Sequence, residues 1–214
     1  MSNYSDNFHR TDTTAGGAGS TSGAGNGWID VQGGIWSITG NSLIGVADTL
    51  PGGAYARDFL LRPASESCLD QQILCEILGQ PDNQRANYLI LRYQDISHYY
   101  SLGFNRGVNS SILFNIAKFE NGALIYLASQ VINGVIGHAY RMVFTAIGAT
   151  PTALTGTLID MTAASVVGSL NASDSTTSLQ AAGQSGLSIF ADTSISLVTL
   201  TDRSPLNLAV SQVY

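Results

Sequence analysis

Along most of this 214-residue chain, hydrophobic and polar residues alternate with a period of two. The runs at 87–94 (NYLILRYQ), 111–119 (SILFNIAKF), 139–147 (AYRMVFTAI) and 194–201 (SISLVTLT) combine that alternation with many β-branched and aromatic residues. Such a pattern predicts strands with one buried face, and few windows repeat at the helical 3.6. Further strand runs fall at 33–45, 70–78, 98–104, 123–131, 153–160 and 186–191. Turn residues punctuate them: Pro81-Asp82-Asn83, Asn105-Arg106-Gly107, Glu120-Asn121-Gly122 and Asn133-Gly134. Asn121-Gly122, set between two apolar runs, is the strongest hairpin signal. Short strands joined mostly by hairpins predict an all-β chain, an antiparallel sandwich or barrel.

Two segments break the pattern. Residues 13–27 (TTAGGAGSTSGAGNG) are too poor in apolar groups to pack and read as a Gly/Ser-rich loop, with a strand-like YSDNF before them. Residues 161–185 are small and polar and read as a long connection. The organisation expected is one sandwich domain over 1–201. The tail at 202–214 carries Leu206, Leu208, Val210 and Val213 and is expected to dock on a sheet edge or a neighbouring subunit.

Composition narrows the partners. Only 11% of residues are charged and 23 are glycine, so uncharged polar side chains keep the surface wet. A net charge of −6, with the arginines and the single Lys118 scattered, excludes a nucleic-acid partner, which needs a basic footprint. No apolar run reaches the roughly 18 residues of a membrane helix. The N-terminus lacks a basic, then apolar, secretory pattern, so synthesis in a cytoplasm without a cleaved signal is expected. Cys68 and Cys75 lie about 23 Å apart in an extended strand at about 3.3 Å per residue, and the intervening segment has no turn residue. Both are expected to be free thiols that pack as small buried hydrophobes.

Several short pieces, taken in order, resemble the concanavalin A-like lectin/glucanase superfamily, and specifically its laminin-G-like sandwich modules. They are Asp6-Asn7-Phe8 with Arg10 and Asp12; Trp28; Gly34, Trp36 and Ile38 with Asn41 and Leu43; Tyr88 through Tyr100; Lys118 with Asn121-Gly122; and Gly183, Gly186 and Leu187. The glycine-rich insertion after Asp12 and the tail after Asp202 depart from that pattern. The resemblance implies two packed antiparallel sheets in a jelly roll, and a module that binds glycan or protein more often than an enzyme. It carries over no calcium site, since Asp6 and Asp202 alone do not make six oxygens, and no cofactor is expected.

Strand parity nominates ligand-facing residues. Leu89, Leu91 and Tyr93 share one face of a regular strand and read as core; Tyr88, Ile90, Arg92 and Gln94 share the other. Aromatic, guanidinium and amide groups together are the chemistry of sugar recognition. Arg92 either reads a ligand there or pairs with an acid such as Asp95 or Glu76. Arg141, opposite in parity to Tyr140, Met142 and Phe144, would line the same polar face if its strand joins the same sheet. Tyr99 is the candidate platform from the next strand, and Trp28 and Trp36 read as packing residues. The Glu-x-Asp-x-x-Glu strand motif of the superfamily's glucanases is absent. Asp70 and Glu76 would stand about 20 Å apart, too far for either glycosidase geometry.

These readings lead to a non-catalytic carbohydrate- or surface-binding sandwich, with cell-surface glycan as partner and a homo-oligomer or larger assembly as its state. Missing export signals suggest a virion surface, as in phage capsid decorations, head fibres or tail fibres. A purely structural assembly protein is the alternative, and a glycoside hydrolase or lyase the third reading.

Overall fold

The computed structural model describes residues 3–8, 13–16, 27–31, 35–39, 42–46, 58–77, 85–106, 110–189 and 193–202. The remaining residues, including 17–26 of the glycine-rich stretch and the tail from 203 onward, lie outside the described set. Sixteen strands are described: β1 (Asn3–Asp6), β2 (Thr13–Gly16), β3 (Ile29–Asp30), β4 (Ile35–Thr39), β5 (Ser42–Val46), β6 (Asp58–Leu61), β7 (Gln71–Ile77) and β8 (Arg85–Asp95), followed by β9 (His98–Arg106), β10 (Ser111–Glu120), β11 (Ala123–Asn133), β12 (Tyr140–Ile147), β13 (Thr152–Asp160), β14 (Ser165–Asp174), β15 (Gln184–Ile189) and β16 (Thr193–Asp202). Among the described residues no helix is long and apolar enough to cross a membrane.

The strands form two antiparallel sheets. One runs β14-β13-β12-β7-β16-β5-β4-β2; β1 pairs with the C-terminal half of β16, past the residues that β5 occupies. The other runs β11-β10-β9-β8-β15-β6-β3. Alternation sends one face of each inward. Leu60, Leu187, Leu89, Leu102 and Ile116 stand opposite one another across five neighbouring strands of the seven-stranded sheet. Leu158, Met142, Cys75 and Val198 do the same in the nine-stranded sheet. All are buried in one core between the sheets. Where the sheets approach closely, glycine makes room: a Cβ on Gly156 would lie 2.4 Å from Leu102, and one on Gly168 would lie 2.5 Å from Ile132.

The Asn121-Gly122 signal is a hairpin turn, both residues at positive φ (52° and 78°), joining β10 to β11. Two segments differ from expectation. Thr13–Gly16, read as the start of a loop, is β2 and pairs with β4. Residues 161–185, read as one long connection, contain β14, whose buried Gly168 and Leu170 alternate with exposed Ser169 and Asn171. Small residues weaken the sequence signal of such an edge strand without preventing its pairing. Neither cysteine is in a disulfide, but Cys68 is only half-buried, while Cys75 is fully inside.

A buried ionic cluster closes one end. Tyr100 donates to Asp174 at 2.7 Å, and Lys118 Nζ donates to Asp174 at 3.0 Å and meets Glu120 at 2.9 Å. Burial alone would raise the Asp174 pKa, but hydrogen bonds from Tyr100, Lys118 and Thr176 hold it below its ordinary 3.8. A depressed carboxyl stabilises the fold above its unfolded pKa, and that contribution is lost as pH falls through the folded value. Asp174→Asn should therefore lower stability near neutrality and flatten the loss of Tm between about pH 5 and about pH 3. Thermal melts across that range check it, and an unchanged acid slope would remove Asp174 from this role.

Candidate functional site

The five residues nominated from parity do not come together. β8 belongs to the seven-stranded sheet and β12 to the nine-stranded one, so Arg141 and Tyr88 stand on different sheets. Arg141, on the outer side of its sheet, donates from Nε to Glu76 Oε1 at 3.0 Å, with Nη2 on the same oxygen. Gln94 is exposed and donates to Ala182 O at 2.8 Å, fastening the end of β8 to the loop before β15. Tyr99 is buried: its ring stacks on Phe119 at 4.7 Å and on Tyr93 at 5.8 Å.

Arg92 is the largest correction. It is 0% exposed, and neither Asp95 nor Glu76 is its partner. The parity that put it on the wet face fails because β8 carries extra residues between Leu91 and Asp95, where its register with β9 shifts. Arg92 sits in the bulge with φ 51°, and the alternation reverses. Tyr93 joins the outer side with Ile90, and Arg92 turns inward. Its backbone N–H donates to Gln71 Oε1 at 2.8 Å and its Nε to Leu69 O at 3.0 Å. Nη1 donates to Thr152 Oγ1 at 2.7 Å and Leu179 O at 3.0 Å, and Nη2 to Gly148 O. Asp70 stands 4.0 Å away and accepts the Gly148 N–H at 2.7 Å. Burial lowers the guanidinium pKa, while Tyr100 and Asp70 oppose the shift. The group is a latch between the sheets, with its donors directed at the protein itself.

The outer face of the seven-stranded sheet is the candidate that remains, and register assembles it. One row across the strands is Phe59, Ser188, Tyr88, Gly103, Asn115 and Ser129; the next is Leu61, Gly186, Ile90, Ser101, Ala117 and Tyr126. Towards β6 the face is a dry cluster of Phe59, Leu61, Ile90, Tyr93 and Tyr99, with Phe119 packed against it. Towards β11 it becomes polar and open: Ser129 is exposed and Tyr126 keeps 55% of its surface in water. At the boundary, Tyr88 donates its hydroxyl to Asn105 Oδ1 at 2.7 Å. Asn115 is buried beside it, and its Nδ2 has no hydrogen-bond partner among the described residues. Gly103 makes that juxtaposition fit, since a Cβ there would lie 2.9 Å from the Asn115 amide and 3.0 Å from the Tyr88 ring.

A buried amide donor left unpaired costs about 1–3 kcal/mol, and this one lies at the edge of the aromatic face. Sequence parity held the signal: Ile112, Phe114 and Ile116 point inward, so Asn115 points outward from an otherwise apolar run. Tyr126 was missed because Leu124, Ile125, Tyr126 and Leu127 are apolar at both parities, so alternation marks no outward face there. Among the described residues no group of three or more His, Cys, Asp or Glu side chains gathers as a metal ion would require. Glu76 is held by Arg141, Asp160 by His138 and two turn amides, and Asp174 by Lys118 and Tyr100.

No family model matches the chain, and no curated protein matches it. Solved structures do. The carbohydrate-binding module CBM66 from Bacillus subtilis superposes with a TM-score of 0.60 at 23% identity, covering 82% of this chain and 96% of the module. The CBM2 module of the evolved Dit protein of Lactobacillus casei phage J-1 gives 0.61 at 13% identity, covering 92% and 93%. A β-glucanase from Bacillus licheniformis gives 0.55 at 10% identity, covering 95% and 99%. The fold is the concanavalin A-like jelly roll. At these identities the likeness speaks for architecture, and the function rests on the site.

Replacing Arg92 with Met would leave the carbonyls of Leu69, Gly148 and Leu179 without their donor. Breaking such a buried charged network costs about 3–5 kcal/mol, or a fall in Tm of roughly 6–20 °C for a domain of this size. A melting curve for Arg92→Met measures it; a fall under about 3 °C would show that the latch is dispensable.

Proposed function

We propose that this chain is a carbohydrate-recognition module that takes glycan on the outer face of its seven-stranded sheet. The observation that carries the reading is the unpartnered Asn115 amide beside Tyr88 and Asn105, bordered by the exposed ring of Tyr126. An apolar sugar face lies on an aromatic ring, and hydroxyls take the amide and hydroxyl groups beside it. The row from Tyr88 to Ser129 crosses three strand spacings, about 14 Å at about 4.8 Å each, which suits an extended chain of sugar rings. Two solved structures of the same fold are carbohydrate-binding modules by name, one of them from a phage, which supports the reading. The virion surface, as a decoration or fibre, is the setting we propose, and recognition without cleavage is the activity.

The test is retention on a polysaccharide and glycan panel. Tyr126→Ala and Asn115→Ala should each weaken binding about three- to tenfold, the worth of one aromatic or hydrogen-bonded contact. Tyr126 is exposed, so its loss should leave the melting temperature within about 2 °C of the parent. Binding that survives both substitutions would move the site elsewhere. Release of reducing ends from any bound polysaccharide would turn the reading towards an enzyme.

A further inference from the structure

The side of the sandwich formed by β11 and β14 is unlike the rest of the surface. β11 ends the seven-stranded sheet and β14 ends the nine-stranded one. The two edges lie together, with Gly168 of β14 against Ile132 of β11. Between Glu120 and Arg141, and again from 161 to 173, the sequence holds no Asp, Glu, Lys or Arg. Sheets that stay single protect their edges with charges, proline, bulges or short strands. Here an edge of 11 residues has no charge and no proline, only a bulge near its middle, and Val131, Tyr126, Leu124 and Ile125 are exposed along it, with Val166 on β14 beside it.

We propose that this side is a subunit interface with a second copy of the same chain, in which β11 pairs antiparallel with β11 of the partner about a two-fold axis. Two observations select a copy of itself over another partner. The chain carries a net charge of −6, so two copies repel over most of their surface, and this uncharged side is where they meet without like charges in contact. The strand is also self-complementary because of its bulge. Before it, Leu124 and Tyr126 point outward; after it, Ser129 and Val131 do. With the axis between Leu127 and Ala128, Leu124 falls opposite Val131 of the partner subunit, and Tyr126 opposite Ser129 of the partner subunit. Outward meets outward at each pair, which an unbulged strand in this register would not allow. The side is about 37 Å long at about 3.4 Å per residue and about 20 Å across two sheets packed about 10 Å apart. That gives roughly 700 Å² per copy, close to the about 800 Å² of a standard interface.

Strand pairing in the sheet plane leaves the outer faces open and joins them. The Asn115–Ser129 row of one copy then continues into the Tyr126–Ala117 row of the other, giving one recognition surface for one long polysaccharide. That last consequence rests on the glycan reading; the interface itself does not, and the test uses no sugar.

Light scattering of the full chain at about 1–100 μM, spanning typical dimer affinities, should give twice the 22.5 kDa chain mass at the upper end. The double variant Leu124→Lys with Val131→Lys puts lysine opposite lysine twice across the axis and should run at the single-chain mass, with its melting curve retained. Leu124→Lys with Val131→Glu puts opposite charges in the same two places and should restore the dimer. A parent that stays at the single-chain mass, a trimer, or two variants that behave alike would each overturn the proposal. Should the lysine pair fail to fold, Leu124→Cys with Val131→Cys gives the same answer: oxidation should link chains on a non-reducing gel, and absence of the linked dimer overturns the register.

Discussion

A guanidinium with no access to water holds this sandwich at one end. Arg92 leaves its strand through a bulge and reaches Leu69, Leu179, and both Gly148 and Thr152 of the β12–β13 turn, three segments far apart in sequence. Gln71 braces it from both directions, accepting from the Arg92 backbone and donating to Gly183 O at 2.6 Å. Gly183 lies so near that a Cβ would come within 2.6 Å of the Arg92 carbonyl carbon. A charge is tolerated there because its donors are directed at backbone and side-chain oxygens. Apolar surfaces can slide over one another; this group fixes how the sheets are set and where the Gly148–Thr152 turn docks.

With the end fixed, the outer face of the seven-stranded sheet is free to differentiate. Its β6 half is dry and aromatic, and its β11 half is polar and partly open, so a rigid apolar floor supports the groups of the proposed site. Tyr99 illustrates the division. Stacked between Phe119 and Tyr93, it is too deeply packed to meet a ligand, yet it holds the strand that carries Ser101 and Gly103.

The fold was legible in the sequence wherever strands alternate cleanly. The core positions of 111–119 and 139–147, the Asn121-Gly122 hairpin and the two-sheet class all follow from period two and turn chemistry. The site was less legible, for one recurring reason. Parity is a local rule, and a single extra residue inverts it. Arg92 sits inside such a bulge and was assigned outward when it lies inside, while Tyr126 lies in a run whose apolar residues fall on both faces and so carried no parity signal. β14 escaped because Gly168, Ser169, Asn171 and Ala172 look like a loop until a neighbouring strand is there to pair with.

Cys75 lies between Met142 and Val198 on the inner face, sealed from water, and burial together with the neighbouring Glu76 pushes its thiol far above the ordinary range. Almost no thiolate exists there at neutral pH, and the thiolate is the species that oxidants and alkylating agents attack. Neither cysteine is bridged, so no covalent link must form before the sheets close. The core of this sandwich is therefore indifferent to redox conditions. Moving from a reducing to an oxidising medium should leave the packing of Cys75 between Met142 and Val198 as it is.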